Sequence, residues 1–170
     1  LGYLFTSETI KNVPRWHYLN QGIPLPAFAG NDTHDNYRLF WKLGPKLGSY
    51  NNTLKLITTH IWAEKLSEES VIEAIKNGQS YFAFEIFGNT KGFKFYMADN
   101  KIVVLSPPHK DLENTEIKIL RDGKIVKEGT GILLNLENPK PGNYYAEIWK
   151  DGKPWIFSNP IKITTKIGLN

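Results

Sequence analysis

One stretch of the chain, Ala29-Gly30-Asn31-Asp32-Thr33-His34-Asp35, sets a carboxylate and an imidazole two positions apart. Alternate side chains of an extended chain point the same way, so Asp32 and His34 can meet one metal ion or two adjacent ones. Gly30 just before them permits a sharp turn or a close approach of backbone to the site. A ligating imidazole must be neutral, so metal affinity at such a site falls in acid. The plainer reading is a strand end whose Asp and His cap a loop and face solvent, and short ligand motifs of this kind have a high false-positive rate.

Neighbouring residues extend the list. Asp35 could orient the His34 imidazole from behind, although an adjacent carboxylate usually points the other way. Arg38 is the candidate for steering a phosphate or carboxylate toward the metal; its plainer reading is a solvated loop arginine. No residue declares itself as a catalytic base or nucleophile. With no cysteine in the chain, disulfides, a thiol nucleophile and cysteine-ligated zinc or iron-sulfur centres are excluded, and the cellular compartment stays open. Any metal is left to oxygen and imidazole donors. Of the remaining histidines, His60 reads as a core or edge histidine of a strand, while His17 and His109 read as surface residues.

Several elements must position these groups. Pro14, Trp16 and Leu19 predict a short helix closed by Gly22. The prolines at 24 and 26 confine strand character to Ala27-Phe28-Ala29, and residues 31–52 read as a long connection carrying Tyr37, Phe40 and Trp41. A β-branched run predicts a strand over Leu54 to Ala63. Ser67 then caps a helix with Glu68 and Glu69 in its first turn, an apolar face of Val71, Ile72, Ala74 and Ile75, and Gly78 at its end.

Beyond Gly78 the texture changes to eight short strand candidates, the first from Ser80 to Phe87 and the last from Trp155 to Ile163. Asp122-Gly123 and Asp151-Gly152 carry the hairpin-turn signature, and this spacing predicts a β-sandwich. The boundary falls near residue 80. Phe93, Phe95, Tyr144, Tyr145, Trp149, Trp155 and Phe157 fit the inner faces of two packed sheets better than a sugar-stacking platform.

Length and charge narrow the function classes. The chain has 170 residues and a net charge of +4. Residues 1–80 hold eight basic and seven acidic side chains, and residues 81–170 hold thirteen and ten. Such an interspersed mixture argues against nucleic acid as a partner. No run of about 18 apolar residues exists to span a bilayer. The chain begins at Leu1 and its one methionine is Met97, so the expectation is a piece of something longer.

The order Trp16, Leu19 and Gly22, then residues 29–35, then Thr59-His60-Ile61-Trp62-Ala63, then the segment from Leu66 to Tyr81, resembles the C-terminal part of PHP-domain metallohydrolases. The similarity is greatest to the carbaryl-hydrolase-related branch, and Ser158-Asn159-Pro160-Ile161 is similar to that branch's ending. The resemblance implies a fold class: the C-terminal part of a distorted (β/α)7 barrel, α/β in kind, over residues 1–80, then an all-β immunoglobulin-like sandwich over residues 81–170. It also implies that Asp32 and His34 supply the last two ligands of a divalent metal cluster of manganese, iron or zinc. The substrate would be a small phosphoester or a carboxylic or carbamic ester, between which these residues do not choose.

Two departures matter. The chain has no His-x-His, and Asn31 stands where a serine is expected. Zinc takes about four ligands and manganese or iron about six, so the cluster would be completed by residues absent from this chain, in the missing N-terminal part of the barrel. Little or no hydrolytic turnover is expected of the chain alone. The alternative is a non-enzymatic β-sandwich that serves binding or assembly, with a remnant α/β part.

Overall fold

A computed structural model describes residues 12–31, 37–38, 46–47, 54, 56–110 and 112–164. Helix α1 spans Asn12–Leu19. The short strands β1 (Tyr37–Arg38) and β2 (Lys46–Leu47) pair with each other, and β3 runs over Ile57–Ile61. Helix α2 covers Glu68–Lys76. Its cap is Ser67, whose hydroxyl accepts from Ser70 N, and its acidic first turn suits the positive end of the helix dipole. Ala74 is buried, whereas Ile72 is largely exposed, so the apolar face is narrower than the sequence suggests.

Nine strands follow, with a 3₁₀ turn at Glu85–Phe87 and another at Leu112–Asn114. They are β4 (Ser80–Phe84), β5 (Lys94–Ala98), β6 (Lys101–Leu105), β7 (Thr115–Arg121), β8 (Lys124–Thr130), β9 (Leu133–Glu137), β10 (Gly142–Lys150), β11 (Lys153–Ser158) and β12 (Ile161–Ile163). The predicted Trp155–Ile163 strand is therefore two, separated by Asn159 and Pro160, where a proline cannot extend the ladder. Asp122-Gly123 and Asp151-Gly152 turn with both residues at positive φ, the geometry that matches strand twist in a two-residue hairpin. Asp99-Asn100 does the same without a glycine. Gly123 has a second reason to lack a side chain: a Cβ there would lie 2.9 Å from the carbonyl oxygen of His17.

The strands form a seven-stranded sheet in the order β3-β4-β11-β10-β7-β8, with β12 on β10, and a three-stranded sheet in the order β5-β6-β9. The two sheets enclose a core that includes Phe95, Ile102, Val104, Ile117, Ile148 and Trp155. Strand β10 shows why the larger sheet is covered on both faces. Tyr144, Ala146 and Ile148 point into that core, while Tyr145 points the other way and meets Trp16 and His17 of α1. A second cluster of Ile57, Phe82, Phe84 and Phe157 lies beneath Val13, Ala27 and Ala29.

The α/β expectation for residues 1–80 is overturned. A (β/α)7 portion requires parallel strands joined by crossover helices, whereas every pairing among the described residues is antiparallel. Strands β3 and β4 flank α2 in the chain, as in a βαβ unit, yet Ile57 pairs with Phe84 and Ile61 with Ser80. Helix α2 therefore caps one end of an antiparallel pair, and β3 becomes the edge of the same sheet that holds β10. The division into seven and three strands also departs from the near-equal split of an immunoglobulin-like sandwich.

Candidate functional site

The backbone that enters the Asp-x-His motif is held at three alternate residues by side chains. Ala27 donates its N–H to Asn159 Oδ1 (2.6 Å), and Asn159 Nδ2 donates to the Ala27 carbonyl (3.1 Å). Two residues on, Ala29 N donates to Thr59 Oγ1, which donates back to the Ala29 carbonyl, both at 3.1 Å. Then Asn31 Nδ2 donates to the Ile57 carbonyl (2.8 Å), and Ile57 N donates to Asn31 Oδ1 (2.9 Å). Residues 27–31 thus follow the outer edge of β3 as an extended segment bonded through side chains instead of a backbone ladder. The strand predicted over Ala27–Ala29 is this segment. The upstream turn is fixed in the same way: Asn20 Oδ1 accepts from Leu25 N (2.8 Å), and Trp16 Nε1 donates to the Leu25 carbonyl (2.7 Å).

Asp32, His34 and Asp35 lie outside the described residues. Arg38 lies in β1, in register with Lys46. An apolar cleft of about 290 Å³ runs beside the anchored segment, from Gly30 and Phe28 to Trp16, Ile57 and Phe84. Among the described residues, no three His, Asp or Glu side chains gather to hold a metal ion.

His60, read as a core or edge histidine, is hydrogen-bonded on the edge strand. Its Nε2 lies 2.7 Å from Glu85 Oε1 and 3.3 Å from Thr90 Oγ1, and its ring stacks on Tyr81 with centroids 4.5 Å apart. Thr90 adds a backbone N–H to Glu85 Oε2 and its hydroxyl to Oε1. Glu85 is fully engaged by this cluster, which ties β3 to the turn after β4. Burial pushes the Tyr81 hydroxyl above the usual tyrosine range, a shift that the Thr90 side chain opposes and the Glu85 charge reinforces; the hydroxyl donates to the Thr90 carbonyl at 3.4 Å.

His17 and His109 are not the surface residues the sequence suggests. His17 Nε2 lies 2.8 Å from Glu147 Oε1, at ion-pair distance but without the alignment of a hydrogen bond. Glu147 is itself buried in β10, and its Oε2 accepts from Trp149 Nε1 at 2.9 Å. Desolvation, with the Glu147 and Asp122 charges behind it, drives the Tyr145 hydroxyl well above its ordinary range. His109 is held at both nitrogens, by the Pro107 carbonyl (2.8 Å) and Thr115 Oγ1 (2.6 Å), with its ring edge-on to Trp155.

Sequence reasoning missed Asn159, Glu85 and Glu147. Each meets its partner from a distant part of the chain or across a sheet, and no spacing rule encodes that. The aromatics Phe93, Phe95, Tyr144, Tyr145, Trp155 and Phe157 are buried, which leaves them to packing. Comparison of the chain with protein-family models, with curated proteins and with solved structures finds no match. The resemblance to PHP-domain metallohydrolases rests on the residues that carry it.

Proposed function

We propose that the chain contributes Asp32 and His34 as ligands to a divalent metal cluster in a hydrolase of phosphoesters or of carboxylic or carbamic esters. The observation that carries this reading is the pair of bonds between the Asn31 side chain and Ile57. They anchor the residue immediately before Asp32 to the sheet edge, which supplies the rigid support that ligand geometry demands. The donor set suits the group, since a carboxylate and an imidazole serve manganese, iron or zinc. Such metals, when bound, lower the pKa of a coordinated water and stabilise charge on a carbonyl or phosphoryl oxygen.

The chain's own residues do narrower work. Asp32 and His34 bind, and the anchored Asn31 sets where they start. Arg38 supplies a guanidinium that attracts an anionic group. Two ligands leave most of a coordination shell open, so the remaining donors come from polypeptide outside these 170 residues.

The test uses the protein encoded by the whole reading frame. Asp32→Asn and His34→Gln are each expected to lower bound metal and to cut metal-dependent hydrolysis of 4-nitrophenyl acetate and bis(4-nitrophenyl) phosphate by about a hundredfold or more. Unchanged metal content and turnover in both variants would remove the proposal.

A further inference from the structure

A groove lined by Trp62, Gln79 and Tyr96 lies at the other end of β3 from Asn31, and nothing in the proposed hydrolase uses it. Its volume is about 500 Å³, within the range of small-molecule sites. Trp62, Tyr96 and Met97 line it and stay 37%, 43% and 43% exposed. Contiguous exposed aromatic surface of this kind marks a binding site more often than it serves stability.

Trp62 is held firmly in place. Its backbone N–H donates to the Gln79 carbonyl at 2.9 Å, and its ring packs on Phe93 and Tyr81 with centroids 5.9 and 5.1 Å away. The ring is therefore preorganised, and a flat ligand stacking on it orders little protein.

Charge chooses the ligand. Lys76 and Lys162 line the groove, and no Asp or Glu does. Among the described residues neither lysine lies within ion-pair distance of a carboxylate, so both charges are available. The C-terminal end of α2 also borders the groove through Asn77 and Gly78. Its partial negative charge disfavours a dianion such as a phosphate monoester and leaves a single negative charge as the better match.

We propose that this groove binds a small aromatic carboxylate, its ring against Trp62 and Tyr96 and its carboxylate between Lys76 and Lys162. The site is independent of the metal ligands and does not rest on the hydrolase reading.

Biphenyl-4-carboxylate is a direct probe, followed by ¹H–¹⁵N NMR of the intact chain. Saturable shifts are expected at the Trp62 indole N–H and the Lys162 amide. The neutral isostere biphenyl-4-methanol should bind about tenfold more weakly or worse, and the double variant Lys76→Glu/Lys162→Glu should lose about as much for the carboxylate. Tyr96→Ala, on an exposed position of β5, should weaken binding while the rest of the spectrum stays in place; it is preferred to Trp62→Ala because Trp62 packs on buried rings. The proposal is overturned by the absence of a saturable shift, by shifts centred elsewhere, by equal binding of the alcohol, or by charge-reversal variants that bind the carboxylate as well as the parent chain.

Discussion

Asn31 satisfies both backbone groups of Ile57 with one side chain, and Ile57 is buried. Asn31→Ala leaves a buried donor and acceptor without partners, which costs about 1–3 kcal/mol. Urea denaturation is expected to show a loss of that size, and a loss below about 0.3 kcal/mol would mean that water replaces the amide freely. Tyr145 supports a prediction in alkali. Its hydroxyl titrates above its unfolded value because burial and the Glu147 charge disfavour the phenolate. The native state therefore keeps its proton after the unfolded chain has lost it, and stability present below about pH 10 declines as pH rises above that value. Tyr145→Phe should change stability at pH 7 by less than about 1 kcal/mol, since the hydroxyl has no hydrogen-bond partner by geometry. The fall above pH 10 should become shallower, read from urea midpoints at pH 7, 10 and 11. An unchanged alkaline slope would contradict this origin of the shift.

Elements joined by side chains instead of backbone ladders explain both what could be read in advance and what could not. Helix α2 was legible because its signals are local: Ser67, Glu68, Glu69 and Gly78 each act within one turn. The Asp-Gly hairpins were legible for the same reason. The antiparallel pairing of β3 with β4 was not, because a strand, a helix and a strand in sequence fit either a crossover or an antiparallel pair with a capping helix. Only the register of Ile57 with Phe84 decides between them. The bonds to residues 27–31 were equally hidden, because Asn159 lies 132 positions from Ala27. That residue is the element-scale test. Asn159→Ala removes two bonds to Ala27 and one to Ser80 Oγ, and it should cost about 2–3 kcal/mol. Hydrogen exchange should show selective loss of protection at the Ala27 amide. Protection equal to that of the parent chain would mean that the segment is held by packing alone.

Across the whole molecule, the seven-stranded sheet has the three-stranded sheet on one face and α1 with residues 24–31 on the other. Asn31, the last described residue before Asp32, therefore sits on a supported edge, and Gly30 lines an apolar cleft, while the two lysines and exposed rings of the larger groove sit elsewhere. Of the candidate site, the sequence offers Asp32 and His34 as proposed ligands, whereas the anchoring of Asn31 on Ile57 could not be read from it. The most direct measurement is manganese-induced broadening of amide resonances in this chain, because paramagnetic relaxation detects even a weak two-ligand site. Gly30, Asn31 and Ile57 are expected to broaden first at low manganese, and Asp32→Asn/His34→Gln should abolish the effect. Broadening that starts elsewhere, or that persists in the double variant, would contradict the assignment of Asp32 and His34 as metal ligands.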